Sequence, residues 1–187
     1  ILDEYGSKKA EAMYHYWMGE SLSYLNEKKQ AIPHTKKAIA LYDKLEDNVL
    51  LYKSLKSLAD FNEYFRSLVE ALNLYWHALE IANELENPIF INFTKKSLAL
   101  IHLRTKEYEK AERLTLEVLN YFQESFTGKL KSKFCGFQYE ILGRIYRTQH
   151  RYHEAHAVYN KAHSIYSKVS LPGKIRIDWQ KIALFLD

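Results

Sequence analysis

Proline and glycine are scarce in this chain, three and six among 187 residues. A protein of many short strands joined by tight turns needs both in larger numbers, so long uninterrupted helices are the alternative. There is a single cysteine, Cys135, which excludes an internal disulfide framework and any zinc cage built from cysteines. No run approaches the ~20 apolar residues that cross a bilayer. The opening residues also lack the basic, apolar and small-residue succession of a secretory leader. Charge of one sign is not concentrated either. The net charge is +4 and the lysines are spread along the length, whereas a phosphate-binding surface wants a clustered stripe. The densest basic run, "GKLKSK" at 128–133, reads as a solvated loop beside an inter-helix connection. No Gly-rich phosphate loop and no nucleophile elbow is present.

What the chain does have is apolar residues at 47% and charged residues at 27%, the balance of a folded rather than a disordered protein. It also has an internal repeat. Ala31, Ala71, Ala111 and Ala155 stand at intervals of 40, 40 and 44 residues. Seven positions after each comes Ala38, Ala78, Val118 or Ala162. Twelve positions before each comes Gly19, Ala59, Ala99 or Gly143, preceded by Met18, Leu58, Leu98 or Leu142. Small residues at such offsets predict helical hairpins, because they let two antiparallel helices approach to about 8–10 Å. Tyr146, Tyr152 and Tyr159 are then the large residues that fill space around them. The hairpins are expected to close through polar turns at 26–30, 104–109 and 147–152. Asn87-Pro88 reads as an N-cap followed by proline at the first helical position, and Pro33 is placed in the first turn of its helix.

Chemistry-bearing groups are few. His153 and His156 in "HEAH" share a helix face but are three apart, not four as in the metalloprotease helix, and spacing supplies no further ligand. His150 falls in a turn, and His156 and His163 beside packing positions. Cys135 is placed at the start of a helix with no base beside it. Carboxylates such as Glu109/Glu112 and Glu84/Glu86 fall on solvated helix surfaces. The expectation is therefore no enzyme, no metal and no cofactor.

The repeat letters resemble the tetratricopeptide repeat: Leu-Gly-x-x-Tyr, then Tyr-x-x-Ala, then a large residue and a final Ala. Residues Leu142, Gly143, Tyr146, Tyr152, Ala155, Tyr159 and Ala162 match most fully. Elsewhere His102, Leu22 and Asn62 replace the tyrosine of the first helix. The resemblance implies an all-α, α-α superhelical solenoid of about nine helices, one array over 1–187. Its repeats are expected at approximately 8–47, 48–87, 88–127 and 132–170, with a final unpaired helix at 172–187. Ile1, Leu41, Ile81 and Tyr121 fall in step, as do Tyr5, Leu45 and Leu85. "ILDEY" then looks like the tail of an earlier second helix. At the far end Ile177, Trp179, Ile182, Leu184 and Phe185 supply no polar cap. Both ends suggest a piece of a longer protein, with self-association through the open repeat ends as one consequence.

In tetratricopeptide proteins the first helices line a concave groove. The corresponding positions here are Tyr16, Glu20 and Ser23, then Lys53, Lys56, Asp60, Glu63 and Tyr64. The later repeats contribute Phe93, Lys96, Leu100 and Arg104, then Phe137, Glu140, Arg144 and Arg147. Aromatic platforms alternating with both signs of charge suit a protein partner or a short linear peptide. Tyr16 and Glu20 occupy places where chaperone-binding members carry Lys and Asn, so that carboxylate clamp is not expected. The 40-residue period and the stretch "KKAEAMYHYWMGESLSYLNEKKQAIPHTKKAIALYDKLEDN" resemble bacterial peptide-sensing regulators of the Rap, PlcR and NprR type. That resemblance implies a cytoplasmic regulatory or signalling module, with a peptide in its groove. With no DNA-binding helix-turn-helix in the chain, direct nucleic-acid binding is not expected. The alternative is a sensory or scaffolding segment, or a self-assembly module, of a multidomain signalling protein with no small-peptide ligand.

Overall fold

A computed structural model describes residues 2–169 and 171–184, and side chains over 4–169 and 172–184. Ile1 and Phe185 lie outside the described residues. Within them the chain is all-α, with nine helices. These are α1 (Leu2–Tyr24), α2 (Lys28–Lys44), α3 (Asn48–Tyr64), α4 (Leu68–Glu84), α5 (Pro88–Arg104), α6 (Tyr108–Ser125), α7 (Gly128–Thr148), α8 (Tyr152–Val169) and α9 (Leu171–Ala183). The chain divides by its own packing into two compact units, Ile1–Thr94 and Lys95–Asp187, the boundary falling within α5.

One three-residue turn is used six times. Each helix ends on a non-glycine residue in the left-handed region: Asn26, Glu46, Arg66, Glu86, Lys106 and His150, with φ from 47 to 65°. The next residue donates its N–H back to a carbonyl five positions earlier, as Asp47 does to Tyr42 at 3.1 Å and Arg151 to Tyr146 at 2.8 Å. That same residue then opens the following helix, its carbonyl accepting from Leu51 and Ala155 respectively. Helix end and helix start are thus fused, and the orphan groups of both termini are satisfied inside three residues. Asn87 completes the device with its side chain, which accepts from the N–H groups of Ile89 and Phe90 at 3.1 Å ahead of Pro88, as its sequence position predicts.

The tight turn moves several boundaries from where the sequence alone put them. α2 starts at Lys28, so Pro33 is its sixth residue and not in its first turn. The carbonyl of Lys29 loses its helical donor there, and both residues are exposed, so water can replace the bond. "ILDEY" is not the tail of a separate helix, because α1 is continuous from Leu2 to Tyr24. The 128–133 segment is helical and forms the first turns of α7, not a loop. The α6–α7 joint departs from the common turn: Phe126 and Thr127 are extended and Gly128 has φ 59°.

The small residues do what the spacing implied. In α7 and α8 the antiparallel register sets Gly143 under the ring of Tyr159 and, seven residues away in each helix, Gly136 under Tyr166. A Cβ on Gly143 would lie 2.2 Å from Tyr159 Cε1, and one on Gly136 3.0 Å from Tyr166 Cε1. Gly19 likewise faces Thr35. In the first unit Ala12, Ala38, Ala78 and Ala82 are fully buried against Tyr42, Tyr52, Leu51 and Leu55. In the second, Ala111, Val118, Ala155 and Ala162 are fully buried, with Phe122, Ile145 and Tyr159 among the large side chains of that interior. Burial of this kind supplies the drive, at roughly 1.5–3 kcal/mol per large apolar side chain. At the end of the chain Ile177 is buried, whereas Trp179 and Ile182 are exposed.

Candidate functional site

In the first unit the predicted residues form a polar network on α1 and α3. Ser57 donates to Glu20 at 2.7 Å, tying the two helices together. One turn along α3, Lys56 pairs with Asp60 at 2.8 Å. The hydroxyl of Tyr75, reaching from α4, lies 2.5 Å from Asp60 and 3.0 Å from Glu63. It has one proton for two carboxylates, and burial together with Asp60 pushes its pKa far above the ordinary tyrosine value. Tyr75 thereby fixes which way both acids point. Tyr16 is half-buried, edge-on to Trp17 and Tyr42, and burial raises its pKa. Tyr64 is exposed with the Lys28 ammonium 4.5 Å over its ring. Lys53 is exposed, Ser23 half-buried, and Phe93 half-buried on α5.

In the second unit Lys96 lies 5.5 Å over the ring of Phe137. Leu100 is half-buried and Arg104 exposed, further along α5. Arg147 donates to Gln180 of α9 at 3.1 Å. Arg144, half-buried, has no ion-pair partner among the described residues. Glu140 departs from the expectation of a solvated groove acid. It is 6% exposed, and Arg176 of α9 grips both its oxygens, Nε at 2.7 Å and Nη2 at 2.6 Å. That bidentate geometry is the strong form of a charge-assisted pair, so Glu140 positions α9 and presents no free carboxylate.

Lys96 and Phe137 also border a half-open cavity of about 520 Å³. Phe134, Tyr166 and Val169 continue its apolar wall, and Lys129, Lys133 and Arg176 stand around it. Sequence reasoning missed these residues. Lys129 and Lys133 were hidden by reading 128–133 as a loop, although their i, i+4 spacing with Phe134 and Phe137 following was a usable signal. Tyr166 and Arg176 arrive from other helices and leave no local trace.

The remaining candidates are quiet. Cys135 is not at a helix start but the eighth residue of α7. It is buried, and burial raises its thiol pKa. His153 and His156 are exposed beside Tyr152 and Leu184, and His163 meets Asp178 at 3.2 Å. Among the described residues no group of three or more His, Cys, Asp or Glu is placed to hold a metal ion. None of the described helices is long and apolar enough to cross a membrane.

No protein-family model matches this sequence, and no curated protein matches it significantly. Solved structures do match. The apo form of RapI superposes at TM-score 0.77 with 18% identity, over 85% of this chain and 57% of that one. A putative kinesin light chain of "nearly identical TPR-like repeats" from Podosopora anserina gives 0.73 at 14% identity, over 93% and 85%. BtubC (BKLC) from P. vanneervenii gives 0.67 at 19% identity, over 97% and 83%. The fold is of the tetratricopeptide-repeat type. These identities carry the fold alone, so tetratricopeptide-type hairpins are what the chain shares with its neighbours. The chain spans little more than half of RapI.

Proposed function

We infer that this tetratricopeptide-type chain is a non-catalytic module that holds a polypeptide against its first helices, as part of a regulatory or signalling protein. The observation that carries the reading is the state of the first-helix side chains. They are ordered by contacts within the fold, as Lys56, Asp60 and Glu63 are around Tyr75, while Tyr64 stays exposed. A surface arranged in advance costs less to order on binding. The fold likeness to RapI and the repeat letters shared with peptide-sensing regulators support a short linear peptide as the ligand. A cytoplasmic setting belongs to the same proposal.

The test treats the two units separately. Lys56→Glu in the first and Arg144→Glu in the second are each expected to weaken peptide binding, and together to abolish it, with an unchanged melting temperature. Both side chains lie off the core, so a loss of binding reports the face and not the fold. Binding that persists in the double variant, measured by fluorescence anisotropy, would move the ligand elsewhere.

A further inference from the structure

The geometry points to the cavity lined from α5, α7, α8 and α9 as a receptor for an acidic polypeptide segment that inserts one large apolar side chain. This rests on the reading that the chain holds a polypeptide, and adds a site and a chemistry to it.

Three observations converge. The lining described here contains no acidic side chain, while Lys96, Lys129 and Lys133 border it. Arg176 is already matched by Glu140, so the surplus positive charge belongs to Lys129 and Lys133. Second, α7 begins against the electrostatic grain. Its first turn has no acid and carries Lys129 and Lys131. Cations at a helix N-terminus oppose the macrodipole, and an incoming carboxylate relieves both charges at once. Third, the wall is largely apolar, and a half-open cavity of about 520 Å³ has room for one or two large side chains.

The rings argue for a side chain over a nucleobase. Phe134 stacks on Phe122 with centroids 4.6 Å apart and meets Phe126 edge-on, and the face of Phe137 carries Lys96. They serve as packing walls, not as open stacking platforms of the kind single strands require.

The experiment is selection of a phage-displayed random dodecapeptide library on the 187-residue chain and on its Lys129→Glu/Lys133→Glu variant. The expected result is enrichment of two or more acidic residues beside a large apolar one on the parent chain only. The best synthetic peptide should lose affinity by roughly tenfold or more in the double variant, since like charges brought together oppose binding strongly. Phe137→Ala should weaken it too, with circular dichroism confirming that helix content is kept. Enriched peptides without acidic bias, or equal affinity for the charge-reversed chain, would overturn the cavity assignment. The broader reading would then still stand if Lys56→Glu and Arg144→Glu weaken those peptides. No enrichment at all would overturn both. A dT12 oligonucleotide that binds more tightly than any selected peptide, and is lost in the lysine variant, would assign the cavity to nucleic acid and also overturn the proposal.

Discussion

Two glycines in this chain face opposite circumstances, and substitution should separate them. Gly143 lies under Tyr159, with an added Cβ 2.2 Å from the ring. Gly143→Ala is expected to destabilise by ~1–3 kcal/mol or more, because a fully buried ring must move. Gly6 in α1 has nothing within 4 Å of an added Cβ, so Gly6→Ala should stabilise by up to ~1 kcal/mol through helix propensity. Urea denaturation of both variants checks the pair, and a silent Gly143→Ala would mean that the α7–α8 register is wrong. The turn residues offer a subtler case. Arg66 sits at φ 63°, which costs a side-chain-bearing residue ~1–2 kcal/mol. Arg66→Gly removes that strain but adds ~0.5–1 kcal/mol of chain entropy to be lost on folding. A net gain of up to about 1.5 kcal/mol follows, or up to ~6 °C in melting temperature for a chain of this size.

At the scale of the element, the turn between α5 and α6 is expected to respond to pH. Glu107 accepts from His102 and Thr105, both at 3.0 Å, and from Lys110. Led by the Lys110 contact, these hold its pKa down to about 2. A folded-state value below the unfolded one, ~4.3, contributes stability that is present above that unfolded value and lost as pH falls toward 2. The melting-temperature difference between the parent chain and Glu107→Gln should therefore shrink as pH falls from 5 toward 2. A difference that grows on acidification would contradict the assignment. Element boundaries also show how far the sequence could be read. The 40-residue spacing of Ala31, Ala71 and Ala111 gave the hairpins, and Gly143 with Tyr159 gave a crossing, because small residues under large ones are a local signal with a fixed period. Pro33 was misplaced because the turn before its helix is of the common kind. The left-handed turn residue here is Asn, Glu, Arg, Lys or His and never glycine, so the usual marker of a helix end was missing.

For the whole molecule, the fold was legible and the site only partly so. Periodicity reports which positions are buried, and tetratricopeptide-type hairpins followed from it. It does not report which surface groups are consumed by a neighbour. Glu140 was indistinguishable from a solvated acid until α9 brought Arg176 to it, and the lysine-rimmed cavity draws its lining from four helices. The central claim is that ligands lie on the first helix of each hairpin. Amide hydrogen exchange, with and without the most enriched library peptide, tests it most directly. The account predicts slowed exchange in α5 and α7, and in α8 and α9 where they wall the cavity, with α4 and α6 unchanged. Protection confined to those second helices would contradict it.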